Sequence, residues 1–490
     1  MAYIKHPDEI AFAGDYNLAH IDLHNHKGEV IDLKNIVIEL NIYESIYKNA
    51  ITGSIVVTDA NNFIGKMEIQ GLERLAFKLE TPGAADTGID ASMDTGEPFH
   101  VYKISNRKQL NQNLTLYTLH FASREFMRNI RTKVSQSYSS SLIAVIHMLQ
   151  NENYLNSRKN LVYEETGNTD KFVVPNVSPF TAINMVAQRT LPANSNGVGY
   201  YFYETSKGFH FRSWGSMVSD SGQLERKRKQ IFFSMPAKVT DKSGGDFDKT
   251  ITNKTEHEYK SVESYTFVNN FHDIASNTAL GTYGHRVITH NIYDKSIRED
   301  DYNYHLQFGD TKHADHENIS GKDKEKHAVV DAPVDYDNEK NISDYAESRV
   351  SLQSSTRFLH DDDVGSYGID ATEDSRKTGE RISQRNQVMH GTILQLVIKG
   401  QTYIEAGDLI EFNVRPIDTK DPEEKDPRFA GNYVVTKIRH KVANSEYKMI
   451  LECAKDSSYQ PLADGTTQWK TSQAPELISL YSLKDYGPYS

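Results

Sequence analysis

From residue 36 the chain alternates between apolar and polar positions. Ile36, Ile38, Leu40 and Ile42 share one face; Ile51, Gly53, Ile55 and Val57 follow after a turn; Leu75, Phe77 and Leu79 make a third run. A period of two over such short stretches predicts half-buried strands. "ETPGAADTG" interrupts the pattern, which resumes over 99–104 and 114–121. Several short strands with turn signals between them predict an antiparallel barrel or sandwich over about 30–123.

The period then lengthens. In "SYSSSLIAVIHMLQNEN" Leu142, Val145, Ile146 and Leu149 fall at i, i+3, i+4 and i+7, behind N-cap candidates Ser139–Ser141. That is an amphipathic helix, with His147 off its stripe on the solvated side. In "FVVPNVSPFTAINMVAQRTLP" Ser178 is a natural N-cap and Pro179 a natural first helical residue, where the missing N–H costs nothing. Phe180, Ile183 and Ala187 mark the buried face of that second helix. "GVGYYFYETSKGFHFRSW" then reads as a hairpin turning at "SKG". Residues 124–216 are therefore expected to form a compact α+β unit.

Beyond "QLERKRKQ" the pattern loosens, and from about 295 to 387 few apolar residues recur. An extended polar connection is expected there, with one helix near 344–352. Order returns at "HGTILQLVIKGQTYIEAGDLIEFNVRP" and in the hairpin "GNYVVTKIRHKVANSEYKMILECAKDS", 431–457, so 388–458 is again antiparallel β. In that hairpin Tyr447, Met449, Leu451 and Cys453 alternate on one face, which makes the lone cysteine a buried, inert residue. Lys437 and Arg439 take the opposite face, and His440 reads as a hydrogen-bonded sheet residue.

Composition sharpens this picture. At 490 residues the chain exceeds one typical core, and a length of about 150 per domain suggests roughly three. An apolar share of 38% is low for a globular chain, and the polar connection accounts for it. Twenty-eight tyrosines against 2 tryptophans favour strands and contact surfaces. A net charge of −12 argues against a general phosphate-binding surface, so no specific nucleic-acid binding is expected. One cysteine excludes a disulfide framework and multi-cysteine metal sites. The amino terminus has no apolar signal core and no run approaches about 18 apolar residues, so a soluble, unexported chain without membrane segments is expected.

The search for chemistry returns little. His313, His316 and His327 sit among acids in a charged stretch without the defined context of a zinc site, so a solvated loop is the better reading. "HDDDVGSYGID", 360–370, lacks both the ligand spacing and the closing Glu of a calcium loop. "RKRK", 226–229, is short enough to be a solvated turn. No nucleophile elbow, phosphate loop, paired-histidine zinc helix or dinucleotide fingerprint occurs. Acidic pairs abound, but none is singled out as a glycosidase pair. No catalytic residue, metal ligand or cofactor is assigned.

Four stretches, in order, carry a resemblance: "YTLHFASREFMRNIRTKVSQSYSSSLIAVIHML", "FVVPNVSPFTAINMVAQRT", "GYYFYETSKGFHFRSW" and "FAGNYVVTKIRHKVANSEYKMILECAKDS". Over roughly 30–295 and 388–458 the chain resembles the central baseplate hub proteins of contractile-tailed bacteriophages, the T-even hub being the best-known member. The resemblance implies a β-rich α+β chain with two tail-tube-like antiparallel β-barrels, an inserted α+β domain and a long polar connection. The first barrel with its N-terminal segment would take 1–123, the insertion 124–216, and strands of 217–240 would return to the second barrel at 388–458. Residues 241–294 would continue the α+β region, 295–387 would be the extended insertion, and 459–490 a C-terminal arm.

It also implies a homotrimer that docks the hexameric tail tube on one side and the trimeric central spike on the other, among neighbouring baseplate proteins. Such a hub is not an enzyme and leaves a channel for DNA. It is a virion component of the tail baseplate, assembled in the host cytoplasm. Leu477, Ile478, Leu480 and Tyr481 are the apolar points of the arm and, with Lys437 and Arg439, the candidate interface residues. A hub of a related contractile injection system is an alternative, and a tail-associated peptidoglycan hydrolase a more distant one.

Overall fold

The computed structural model describes residues 12–82, 88–94, 97–167, 172–193, 198–219, 230–234, 258–269, 273–291, 295, 297–315, 328, 333–335, 340–355, 371–416 and 424–460. The four arm residues Leu477, Ile478, Leu480 and Tyr481 lie outside these, as do His316, His327 and the stretches 226–229 and 360–370.

The N-terminal region supplies β1 (Asn17–His24), β2 (Val30–Asp32), β3 (Val37–Ser45), β4 (Thr52–Asp59), a short α1 (Phe63–Lys66), β5 (Arg74–Glu80), β6 (Ile89–Asp90), β7 (Phe99–Asn111) and β8 (Leu114–Ala122). They run in the order β3-β4-β8-β7-β5-β1-β2, with β6 on β5. The run curls back on itself, because β2 and β3 flank the connection 33–36, whose Leu33 N–H donates to the Ile21 carbonyl at 2.8 Å. Ile38 departs from its expected place beside Leu40 and Ile42. A β-bulge between Val37 and Glu39 resets the alternation and leaves it 43% exposed.

A second group follows: α2 (Arg124–Arg131), β9 (Val134–Tyr138), α3 (Ser141–Gln150), β10 (Leu161–Tyr163), β11 (Phe172–Val177), α4 (Pro179–Arg189), β12 (Tyr200–Thr205), β13 (Gly208–Ser213) and α5 (Trp214–Val218). Ser178 occupies the N-cap position of α4, its hydroxyl 2.8 Å from that of Thr181, with Pro179 at the first position, and Phe180, Ile183 and Ala187 are buried. His147 is not simply solvated. Its ring nitrogens lie 3.0 Å from the Tyr138 hydroxyl and 3.0 Å from the Asn151 amide, because Tyr138 of β9 crosses over that flank of α3.

The remaining elements are β14 (Gln230–Phe233), β15 (Val262–Asn269), α6 (Ile274–Ala279), β16 (Gly284–Asn291), β17 (Ile297–Asn303), α7 (Tyr304–Gln307), β18 (Pro333–Asp335), β19 (Lys340–Asn341), β20 (Val350–Ser355), α8 (Ala371–His390), β21 (Thr392–Lys399), β22 (Leu409–Asn413), β23 (Gly431–Ala443) and β24 (Glu446–Lys455). Six of them run β15-β21-β24-β23-β22-β14, and a parallel bridge from Phe233 to Ser261 brings the two ends together. β23 also pairs antiparallel with β3 from Lys437–Ser45 to Ala443–Glu39. Both barrel-like runs thus belong to one sheet of 14 strands among the described residues. They share a buried cluster that includes Ile21, Phe77 and Phe121 with Leu396, Leu451 and Cys453. The whole is a β-rich α+β fold.

Two expectations for the middle of the chain change. β15 falls in 241–294 yet joins the large sheet and not the α+β group, because Tyr265 and Phe267 pack on Phe412 and Phe429 with ring centroids 5.4 and 4.7 Å apart. The stretch 344–352 forms 3-10 turns followed by β20, not a helix. The connection instead carries the 20-residue α8. Its buried positions are mostly small or polar, with Val388 added near its end: the Ser383 hydroxyl donates to the Thr282 carbonyl at 2.6 Å, and Gln387 donates to Ser383 at 2.9 Å. A Cβ on Gly379 would stand 2.9 Å from the Tyr302 Cβ, so the helix lies close against β17. A stripe of Gly379, Ser383 and Gln387, with the single buried apolar residue Val388 beside it among the described positions, leaves no hydrophobic period to read.

Candidate interface

The hairpin β23–β24 turns at Asn444 and Ser445, both at positive φ (53° and 61°), as a two-residue primed turn demands. One face of it is core: Tyr447, Met449, Leu451 and Cys453 are fully buried, and burial pushes the Cys453 thiol well up. His440 is buried with them. Its Nδ1 lies 2.7 Å from the Tyr447 hydroxyl and its Nε2 3.9 Å from Glu44, and burial pushes its pKa down to about 3.

The opposite face carries the two basic interface candidates. Lys437 reaches Glu452 at 2.7 Å and lies over the Tyr47 ring. Arg439 donates to Asn41 at 2.9 Å, pairs with Glu39 at 3.2 Å and covers Tyr43. Lys441 shares Glu39, and on the neighbouring strands Lys399 and Lys448 both contact Glu263 and Glu446. Burial would raise the Glu263 carboxyl, but hydrogen bonds from Lys399 and Lys448 outweigh it and hold it low. Exposed pairs of this kind add at most about 1 kcal/mol each. Their effect is electrostatic: these five cations on three strands all face carboxylates of the same chain.

Eight strands follow one another in the order β15-β21-β24-β23-β3-β4-β8-β7; β14 bridges to Ser261 just before β15, and β5 pairs only with the start of β7, so each of the two terminal strands leaves most of one edge unpaired among the described residues. At one end β15 pairs with β21 on its inner edge, and no described strand pairs along its outer edge from 262 to 269. Tyr265 and Val268 are exposed there. At the other end β7 spans 13 residues, but β5 and the residue before it, Glu73, cover only Phe99–Val101. Its remaining length pairs with β8 alone and carries Lys103, Arg107 and Lys108 with no carboxylate. Lysines on an open edge discourage indiscriminate strand pairing.

The α+β group is tied together by a buried charge cluster whose carboxylate Glu204 also reaches the frame. Lys159 Nζ lies 3.0 Å from Glu125 of α2 and 2.6 Å from Glu204 of β12. Ser157 donates to Glu125 at 2.5 Å, and the backbone N–H of Ile51 donates to Glu204 at 2.8 Å. Burial pushes both carboxyls up. For Glu125 the Lys159 charge and the Ser157 bond outweigh it and the pKa falls, whereas Glu204 stays raised. Beside them Arg124 pairs with Glu97 at 3.1 Å.

The tip of β12–β13 also enters the seam between the two barrel-like runs. Glu44 of β3 accepts from the Ser206 N–H at 2.9 Å and the Ala406 N–H at 3.3 Å. Thr205 donates to Glu405 at 2.9 Å, and Lys207 reaches the same carboxylate at 3.2 Å. Gly407, at φ +91°, lets Tyr203 approach where a Cβ would overlap the hydroxyl. Further on, Asp456 accepts from the Trp214 indole at 2.8 Å and lies 3.0 Å from His313 Nδ1. His313, considered as a metal ligand from sequence, is thus a buried structural residue stacked on Phe308 at 3.7 Å. No cluster of His, Cys, Asp and Glu suited to a metal occurs among the described residues, and none of their helices is long and apolar enough to cross a membrane. Sequence reasoning missed the Lys159 and Asp456 centres, whose members lie in unremarkable polar contexts far apart in the chain.

No family model matches the chain, and no curated protein matches it. Among solved structures it is similar to the 43 kDa tail protein of prophage MuSo2 from Shewanella oneidensis, at 7% identity and TM-score 0.47, over 89% of this chain and 98% of that one. It is similar to a tail protein from Neisseria meningitidis MC58 at 9% identity and TM-score 0.45, over 90% and 97%. A third similar structure is an Escherichia coli component of the type VI secretion system, itself described as structurally similar to T4 bacteriophage tail proteins. The match has 10% identity and TM-score 0.38, over 87% of this chain and 75% of that one.

Proposed function

We propose that this chain is a structural hub of a phage tail baseplate. It assembles as a homotrimeric ring that joins the hexameric tail tube to the trimeric central spike and leaves a passage for DNA. The observation that carries this reading is the eight-stranded run whose terminal strands, β15 and β7, each leave most of one edge unpaired among the described residues. Two different exposed edges, β15 and β7, make a head-to-tail contact, and head-to-tail contacts close into rings when the rotation allows. Each chain brings two barrel-like runs already joined by β23–β3 pairing, so three copies place six such units around an axis. The four sequence stretches that resemble hub proteins support the same reading and supply the number three.

The role is non-enzymatic. Glu44, Glu125, Glu204 and Glu405 are each engaged by buried structural groups, which supports an adaptor over a hydrolase with a poised acid pair. Lys437 and Arg439 act within the chain as partners of Glu452 and Glu39 and frame the surface that neighbours meet. The protein belongs to the virion, in the tail baseplate, and is assembled in the host cytoplasm.

Light scattering of the purified chain across a concentration series tests the reading. The mass of three chains is expected, and Val268→Asp on the β15 edge should return it to one chain with unchanged circular dichroism. A single-chain mass at every concentration, or a trimer indifferent to that substitution, would overturn the edge-to-edge ring. Clearing of bacterial walls in a zymogram would overturn the non-enzymatic role.

A further inference from the structure

Away from the large sheet, β17-β16-β20 form a small sheet of their own. One face packs against α8 and a cluster of Tyr283, Tyr302, Tyr304 and Phe308. The other face is left uncovered by the described residues. Register sets Val350 and Leu352 of β20 beside Arg286 and Ile288 of β16, and sets Ile297 of β17 beside His290. Leu352 is 77% exposed, Ile297 68% and Val350 51%. β20 runs parallel to β16, and no described strand pairs with its outer edge. Parallel strands are ordinarily covered on both faces, so this element is unfinished as it stands.

The chain itself places a candidate next to it. Asp456 and Ser457 contact 313–315, a few residues after β17 and α7, and the described structure ends at Gln460 with 30 residues still to come. At roughly 3.3–3.6 Å per extended residue, 461–475 can span about 50 Å, which is more than a small domain's width. After Pro475 comes "ELISLYSLK", in which Leu477, Tyr481 and Leu483 alternate with Ile478 and Leu480. Strand addition to an open edge uses main-chain hydrogen bonds for affinity and alternate side chains for fit. Glu299, Asp301 and Glu347 surround Arg286 on this face, three carboxylates to one cation, and Lys484 closes the segment with the sign that the surplus attracts.

The geometry points to the segment Glu476–Leu483 of the same chain adding as a strand to the outer edge of β20 and covering Val350, Leu352 and Ile297. This assignment is independent of the ring, since it is made within one chain.

The test uses the full chain carrying Leu352→Cys and Leu480→Cys, treated with a short bis-maleimide; native Cys453 is buried and does not compete. Peptide mapping is expected to find residues 352 and 480 linked within single-chain mass. A link found only between two chains would overturn the assignment in favour of a second copy's arm, and no link would overturn it altogether. Hydrogen exchange supplies a second readout that does not depend on the cysteines. Leu480→Asp should speed exchange in 350–355 roughly tenfold while β16 is unchanged, as expected when a local cover is removed. Equal rates in the two proteins would also sink the idea.

Discussion

Lys159→Met is the sharpest probe of how the α+β group is held. The ammonium stands between two carboxylates that are almost completely inaccessible, at 3.0 and 2.6 Å. Removing one partner from a buried pair leaves an uncompensated charge, at a cost of about 3–5 kcal/mol. Two features place this site at the lower end. Glu125 keeps the Ser157 hydroxyl and Glu204 keeps the Ile51 N–H, so neither carboxylate is stripped bare. A loss of about 3 kcal/mol is therefore expected, a factor of roughly a hundred in the unfolding equilibrium.

The loss should depend on pH with a definite sign. Burial raises the Glu204 carboxyl in the folded protein, and without Lys159 it rises further. A group with a raised folded pKa stabilises below its unfolded value and loses that contribution as pH climbs through the folded one. The variant's deficit should accordingly shrink by at least about 1 kcal/mol between about pH 7.5 and about pH 5. Adding Glu204→Gln should recover a similar amount at the higher pH. Urea titration followed by fluorescence of the buried Trp214 reads all of these. A deficit under about 1 kcal/mol at the higher pH would refute the reasoning, because a buried charge cannot be abandoned so cheaply. So would a deficit indifferent to both pH and the second substitution.

Other consequences can be checked on the same protein. His440 binds its proton only near pH 3 when folded, against about 6.5 in an open chain, so stability should fall by about 2 kcal/mol between neutral pH and about pH 5. Glu44 at 3.9 Å makes that an upper figure, and His440→Gln should flatten the pH profile of urea midpoints. Gly407→Ala, at positive φ and against Tyr203, should cost at least about 1–3 kcal/mol in the same assay. Cys453 should resist thiol reagents until the sheet opens, so labelling rates should track urea unfolding; rapid native labelling would contradict its burial. Since Lys399, Lys437, Arg439, Lys441 and Lys448 are paired within the chain, tight salt-sensitive binding of DNA by the purified protein is not expected in a filter or mobility assay.

What the sequence makes legible is what local physics decides. The hairpin 431–457 reads correctly because alternation places Tyr447, Met449, Leu451 and Cys453 on one side and Lys437 and Arg439 on the other. α4 reads correctly because Ser178 and Pro179 announce its start. α8 does not, since its buried stripe is Gly379, Ser383 and Gln387, held by hydrogen bonds and close approach, and Val388 alone is too little apolar burial to show a period. β15 is obscured by an edge position that exposes much of its length. The Lys159 triad draws on α2, a loop and β12, and the Asp456 centre on α5, β24's end and 308–314, so no window of sequence contains either. The pairing of β3 with β23 is likewise invisible, because each strand's pattern is satisfied by any partner.

That pairing bears on how the protein is made. The bond from Arg439 to Asn41 joins positions 398 apart. At about 5–20 residues per second, β3 leaves the ribosome roughly 20–80 s before its partner exists. During that interval its outer edge, with Ile38, Leu40 and Ile42, is a template for any other nascent chain nearby. Glu39 and Glu44 interrupt the apolar run and serve as gatekeepers while the edge waits. Later the first is claimed by Arg439 and Lys441, and the second by Ser206 and Ala406. Charges that fasten the finished seam are thus also the ones that keep the half-made chain from finding the wrong neighbour.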